Sequence, residues 1–176
     1  DAGSAHPVIL GPNKCGLHTL FREPTIPLPT AFSACGANDD ARDSRRVYLS
    51  PEHIIGAGFA LATFHESELA PDDQDRIAEG ILDEERDNDD GAMIAAWSVG
   101  NQRAVDALST LPGIDAAHIF VFGHSRRGKT ALWTAAQDPR IFGVIAHQSG
   151  TGGAPLLRNG IGETIEFVTG LFPHWF

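Results

Sequence analysis

The stretch VFGHSRRGKTALW, residues 121–133, decides how the rest of the chain is read. An apolar run ends on Gly123, Ser125 follows two residues later, and Ala131, Leu132 and Ala135 then recur at helical spacing. Strand, sharp turn and helix, in that order, describe the nucleophile turn of a serine esterase. There the serine sits at the carboxyl end of a strand and the next backbone amide points at the same spot. The usual pentapeptide is G-x-S-x-G, whereas here the second glycine, Gly128, comes one position late. Two other readings compete. Serine is a favoured helix N-cap, which would make Ser125 an ordinary capping residue. The segment from Gly123 to Thr130 also matches G-x-x-x-x-G-K-[ST], a phosphate loop, formally. Against that loop, His-Ser-Arg-Arg is bulky for a phosphate cradle, and at least two strand candidates precede it.

Outward from this turn, short apolar runs alternate with helical patterns. HIFVFG (118–123), IFGVIAHQSG (141–150), GFALATF (58–64) and PVIL (7–10, closed by Gly11-Pro12) read as strands. Residues 127–137 read as a helix. In GAMIAAWSVGNQRAVDALSTL, Met93, Ile94, Trp97, Ala104, Val105 and Leu108 recur at three- and four-residue steps, so they share a helix face. SPEHIIGAG predicts a short helix capped by Ser50 and ending at glycine, and residues 160–169 predict another. Residues 22–44 predict a long loop. Apolar strands alternating with helices predict a mostly parallel sheet with helices on both faces, in one domain over residues 1–176.

The 176 residues are 42% hydrophobic, carry a net charge of -10 and have a pI near 5.1. That balance argues against a nucleic-acid partner, which calls for a basic face. Two acidic runs, ANDDARD (37–43) and LDEERDNDD (82–90), read as solvated surface and lack the spacing of a calcium loop. No His/Cys/Asp group has metal-ligand spacing, so neither metal nor cofactor is expected. No apolar span of eighteen residues suggests a membrane partner. Cys15 and Cys35 fit one bridge or two free thiols equally. The chain starts at Asp1 and its only methionine is Met93, which predicts a processed chain or a fragment.

GHSRRGKTALW followed by QDPRIFGVIAHQSGTGGAPLLR resembles the glucuronoyl esterases, carbohydrate esterase family fifteen, whose motif G-x-S-R-x-G-K has the same late glycine. ILGPNKCGLHT, GAGFALATFHESELAPD, GAMIAAWSVGNQRAVDAL and GETIEFVTGLFPHWF extend the likeness over most of the chain, toward the bacterial branch. The resemblance implies an α/β-hydrolase fold, incomplete at its C-terminus. It also implies a secreted or periplasmic monomer that cleaves esters between glucuronic acid on xylan and lignin alcohols. On it Ser125 is the nucleophile, Arg126 faces the oxyanion, and Lys129 and Glu163 hold sugar hydroxyls. His18, His174 and Trp175 are candidates for the walls of the site, while Arg127 is expected to face solvent. A guanidinium suits this chemistry, because attack on a neutral ester creates a negative oxygen and then a carboxylate.

The match is incomplete in two places. Many relatives carry the triad acid in a segment ending E-S-G, where this chain has HQSG, and Gln148 cannot stabilise an imidazolium by charge. His147 and His174 are the only histidines after Ser125, and neither is assigned as the base; base and acid are expected beyond Phe176. An acetyl esterase of the same fold and a non-catalytic carbohydrate-binding relative are the alternative functions.

Overall fold

The computed structural model describes residues 5–82, 87 and 90–176. Strands β1 (His6–Asn13), β2 (Ala60–His65), β3 (Ile114–His124) and β4 (Ile141–His147) form one sheet, and every neighbouring pair is parallel. Their order is β2-β1-β3-β4. The chain steps from β1 outward to β2, then returns past β1 to lay down β3 and β4. The winding direction reverses between β1 and β3. In open parallel sheets the crevice beyond the carboxyl ends of such a pair is where ligands bind.

One face of the sheet presents Val8, Leu10, Ile119 and Val121, each at most 1% exposed, to Val105, Leu108 and Ala131. The last three belong to α3 (Met93–Leu108) and α4 (Arg126–Gln137). Side chains this deeply buried contribute about 1.5–3 kcal/mol each. Asn101 of α3 donates to the Thr134 hydroxyl of α4 at 3.0 Å, a buried polar tie between the two helices. The opposite face carries Phe59, Phe120 and Phe142 in an edge-to-face row. A second cluster gathers Ala70, Met93, Ile94, Ala96, Trp97, Val168 and Trp175, joining the loop after β2, the start of α3, α5 (Ile165–Leu171) and the turn Pro173–Trp175. The apolar stripe read from α3 therefore serves two cores, with Met93, Ile94 and Trp97 in this second one and Val105 and Leu108 in the first.

Several boundaries differ from the sequence reading for local reasons. β1 runs through Gly11 and Pro12 to Asn13. Its pairing with β3 has already ended at Leu10, so Pro12 withdraws no donor from that ladder, while pairing with β2 continues to Asn13. Gly11 has no substitute there: an added Cβ would lie 2.6 Å from Phe122. β4 stops at His147 because Gln148 turns to φ 46°. Ser50 is not a side-chain cap. It sits left-handed between the short helices α1 (Arg46–Leu49) and α2 (Pro51–Gly56), and its hydroxyl donates to the Val47 carbonyl. Cys15 and Cys35 form a disulfide with Cα atoms 5.2 Å apart, which resolves the open thiol question. In the acidic run 82–90, residues 83–86, 88 and 89 lie outside the described residues. Among the described residues no helix is long and apolar enough to cross a membrane.

Candidate active site

A single residue, Ser125, separates the last residue of β3 from the first of α4. A strand can reverse into a helix that abruptly only if the junction residue leaves the common backbone regions, and Ser125 does, at φ 57° and ψ -126°. Residues other than glycine, asparagine or aspartate seldom tolerate such angles, and the cost is on the order of 1–3 kcal/mol. The turn is held from both sides. Ser125 N–H donates to the His147 carbonyl of β4 at 2.9 Å, and the Ser125 carbonyl accepts from Gly128 N at 2.8 Å and Lys129 N at 3.2 Å. The Ser125 hydroxyl makes no capping hydrogen bond. The capping reading therefore fails on both angles and bonding. The phosphate-loop reading fails too, because there is no open loop between strand and helix to wrap a phosphate.

Both glycines of the motif are explained by contact. A Cβ on Gly123 would fall 2.2 Å from the backbone of Arg127, so α4 passes directly over it. A Cβ on Gly128 would fall 3.0 Å from the Ser149 Cβ and 3.1 Å from the Gly123 carbonyl. The late glycine marks the position where the helix crosses the end of β4. The place where an ordinary esterase motif has its second glycine is filled by Arg127, which turns inward.

That inward turn corrects the expectation of a solvent-facing Arg127. Its guanidinium is buried against Glu66, with Nε donating to Oε2 at 2.5 Å and Nη2 to Oε1, and it lies over the Trp97 ring at 5.3 Å. Burial pushes the Glu66 carboxyl upward while Arg127 opposes it; burial pulls at Arg127 too, but Glu66 holds the guanidinium above its ordinary range.

Ser125 and Arg126 line a cavity of about 290 Å³, together with Asn13, Lys14, Tyr48 and Arg45. It lies beyond the carboxyl ends of β1 and β3, where the winding reverses. Within a chain of net charge -10, this wall carries four cations, counting Arg127, and no carboxylate. The Arg126 side chain is anchored at one end: Nη1 donates to Asp72, and the guanidinium stands 4.2 Å from the Trp175 ring centre and 5.2 Å from that of Phe172. Phe172 and Trp175 stack on each other at 3.9 Å with parallel planes. Asp72 also accepts from Trp175 Nε1 at 3.1 Å and faces His174 Nε2 at 3.3 Å. Burial opposes ionisation of Asp72, but the bonds from His174 and Trp175 and the charge of Arg126 outweigh it and hold the carboxyl at about 2.

Lys129 and Glu163 meet elsewhere. Lys129 is buried, with Nζ donating to the Ser149 carbonyl. Burial pulls its ammonium below the usual lysine range, with Glu163 opposing and Arg126 assisting. Both side chains crowd Gly150: a Cβ there would lie 2.8 Å from Glu163 Oε2 and 3.4 Å from Lys129 Nζ. Glu163 precedes the first turn of α5, where Thr164 is the cap. It lines its own cavity of about 320 Å³, and Lys129 lines another of about 270 Å³ with Trp133 and Trp175. The structure thus pairs Ser125 with Arg126 and Lys129 with Glu163. Trp175 links the pairs, with Arg126 at 4.2 Å and Lys129 Nζ at 5.7 Å from its ring centre.

The histidines divide differently from expectation. His18 is fully buried, bonded to the Gly36 carbonyl at 3.1 Å, and does not border the Ser125 cavity. His174 is buried on Asp72. His124 borders the cavity, and its Nε2 lies 2.9 Å from Gln148 Oε1. Among the described residues, no histidine is hydrogen-bonded to the Ser125 hydroxyl. Asp72 and Glu66 were not singled out from the sequence. The one available signal was a cluster of acids, HESELAPDD, directly after an apolar strand.

The model of the family described as "Glucuronyl esterase, fungi" matches residues 47–164. A carbohydrate esterase from an unknown prokaryotic organism is 32% identical over 191 aligned positions, covering 100% of this chain and 44% of its own length. A 4-O-methyl-glucuronoyl methylesterase from Hypocrea jecorina is 43% identical over 70 residues, 39% of this chain and 15% of its own. Among solved structures, a glucuronoyl esterase from Solibacter usitatus superposes with a TM-score of 0.89 at 33% identity, covering 99% of this chain and 47% of that one. A promiscuous esterase of carbohydrate esterase family 15 from a marine bacterial metagenome gives 0.88 at 32%, covering 99% and 48%. The chain spans under half the length of these relatives.

Proposed function

The chain belongs to the glucuronoyl esterases of carbohydrate esterase family 15, and from that premise we propose that Ser125 is the nucleophile of a serine esterase acting on glucuronate esters. The observation that carries this reading is the Ser125 turn: strained angles, an uncapped hydroxyl, and a place on the wall of a cationic cavity at the sheet's switch point. Its Oγ attacks the ester carbonyl. The oxygen that becomes negative is met by the Arg126 backbone N–H, at the start of a twelve-residue helix whose dipole favours negative charge, and by the Arg126 guanidinium. The alcohol leaves, an acyl-enzyme remains on Ser125, and water releases glucuronate.

The base and its orienting acid belong, in this reading, to the remainder of the full-length protein. His124 is engaged by Gln148 and His174 by Asp72, which supports that placement. Lys129 and Glu163 hold the hydroxyls of the uronate ring. The substrate is an ester joining glucuronoxylan to a lignin alcohol, met outside the cytoplasm; the Cys15–Cys35 disulfide supports an oxidising compartment.

The test is turnover by the full-length protein of a glucuronate ester beside an acetyl ester, with Ser125→Ala as control. Faster turnover of the glucuronate ester, lost in Ser125→Ala, is expected. Preference for the acetyl ester would move the chain to another esterase specificity. No turnover, and no fluorophosphonate adduct on Ser125, would leave a carbohydrate-binding relative.

A further inference from the structure

Arg126 is anchored along one edge only. Nη1 is taken by Asp72, and the plane of the guanidinium rests over the stacked pair Trp175 and Phe172. Among the described residues, Nε and Nη2 of Arg126 have no hydrogen-bond partner, and the same side chain lines the cavity that holds Ser125. An arginine on a flexible stem loses rotamer freedom when it stabilises a transient charge, and that cost falls on the transition state unless it has been met beforehand. Asp72 is built to meet it. Its side chain is 12% exposed, and its second oxygen is fixed by Trp175 Nε1 at 3.1 Å and by His174 at 3.3 Å. Asp72 therefore does not follow Arg126; it is held by a different part of the chain, 102 and 103 residues away.

We infer that Asp72 is a positioning residue for the reaction: with Trp175 it locks one edge of Arg126 so that the remaining N–H groups stay aimed at the Ser125 cavity. This rests on the reading of Ser125 as an esterase nucleophile. Asp72 touches no reacting atom, so its effect must pass through Arg126. Carrying one negative charge, it also leaves the Arg126 pair neutral before attack, and the developing oxyanion meets hydrogen bonds already in place.

The experiment uses the full-length protein and four forms: wild type, Asp72→Asn, Arg126→Ala and the double variant. Asparagine keeps an acceptor for Trp175 and removes the charge. With the benzyl ester of glucuronic acid as probe, Asp72→Asn is expected to lower kcat by roughly tenfold or more while KM moves less than about threefold. In the Arg126→Ala background the same change is expected to alter kcat by less than about twofold, since the partner is gone. An unchanged kcat in Asp72→Asn, or an equal loss in both backgrounds, overturns the inference. A second readout does not depend on the esterase reading: NMR relaxation of the Arg126 Nε–H group in the same proteins. It is expected to be rigid in wild type and mobile in Asp72→Asn. Equal rigidity in both overturns the anchoring, even if the wild type turns over no glucuronate ester. Where Asp72→Asn does not fold, Trp175→Phe takes its place, keeping the ring and deleting the N–H; it is expected to show the same background dependence and the same gain in mobility, and their absence counts against the inference.

Discussion

The Arg127 guanidinium closes on the Glu66 carboxylate with two parallel hydrogen bonds, both groups being buried beneath the Ser125 turn. A buried pair of this kind gains little against an apolar replacement, but breaking it strands a charge at a cost of about 3–5 kcal/mol. Arg127→Ala and Glu66→Ala are each expected to destabilise the full-length protein by about that much. The double change to Met at both positions is expected to cost clearly less than either. Urea unfolding monitored by circular dichroism distinguishes these outcomes.

Ser125 holds a backbone conformation that glycine adopts freely. Ser125→Gly is expected to abolish turnover and to raise stability relative to Ser125→Ala by about 1 kcal/mol. A lower melting temperature for the glycine variant than for the alanine variant would mean that the turn stores no strain.

Gly123 and Gly128 are not equivalent. An added methyl at Gly123 meets the Arg127 backbone at 2.2 Å, which cannot give way without shifting α4. At Gly128 the nearest atom is a side-chain Cβ at 3.0 Å. Gly123→Ala is expected to cost about 3 kcal/mol or more, and Gly128→Ala about 1. Thermal unfolding of the two variants should rank them in that order.

Asp72 sets a pH dependence. Its carboxyl ionises at about 2 in the folded protein, against an ordinary value of 3.8. A lowered folded value contributes stability that is fully present above the ordinary value and lost as pH falls through the folded one. The contribution is about 2 kcal/mol. The stability gap between wild type and Asp72→Asn is therefore expected to be constant above pH 5 and to shrink between pH 4 and 2. Denaturation curves across that range measure it.

The parts of the fold that could be read in the sequence were those set by neighbours along the chain. Gly123, Ser125 and the apolar runs on either side announce the turn because strand, junction and helix are contiguous. What could not be read depends on distant partners. Nothing near Arg127 distinguishes it from a surface arginine; its burial is decided by Glu66, 61 positions earlier. Asp72 looks like any acid in a polar loop until Arg126, His174 and Trp175 converge on it. The sequence alone ends β1 at Gly11-Pro12, since the reach of its ladder with β2 is written in neither residue. The family resemblance supplied Ser125, Arg126, Lys129 and Glu163 as a group, and only the structure separated them into two pairs.

The positive wall around Ser125 bears on how a reaction cycle ends. The ester that would enter is neutral at its carboxyl group, whereas the acid left behind carries a full negative charge. Lys14 and Arg45 line the cavity without an ion-pair partner among the described residues. On the proposed function, they are expected to hold the acid product more firmly than the ester. Glucuronate is therefore expected to inhibit competitively, and added salt to relieve that inhibition while leaving KM for the ester almost unchanged. Arg45→Ala in the full-length protein is expected to weaken product inhibition severalfold; an inhibition constant independent of salt and of Arg45 would show that departure of the acid is governed by other groups.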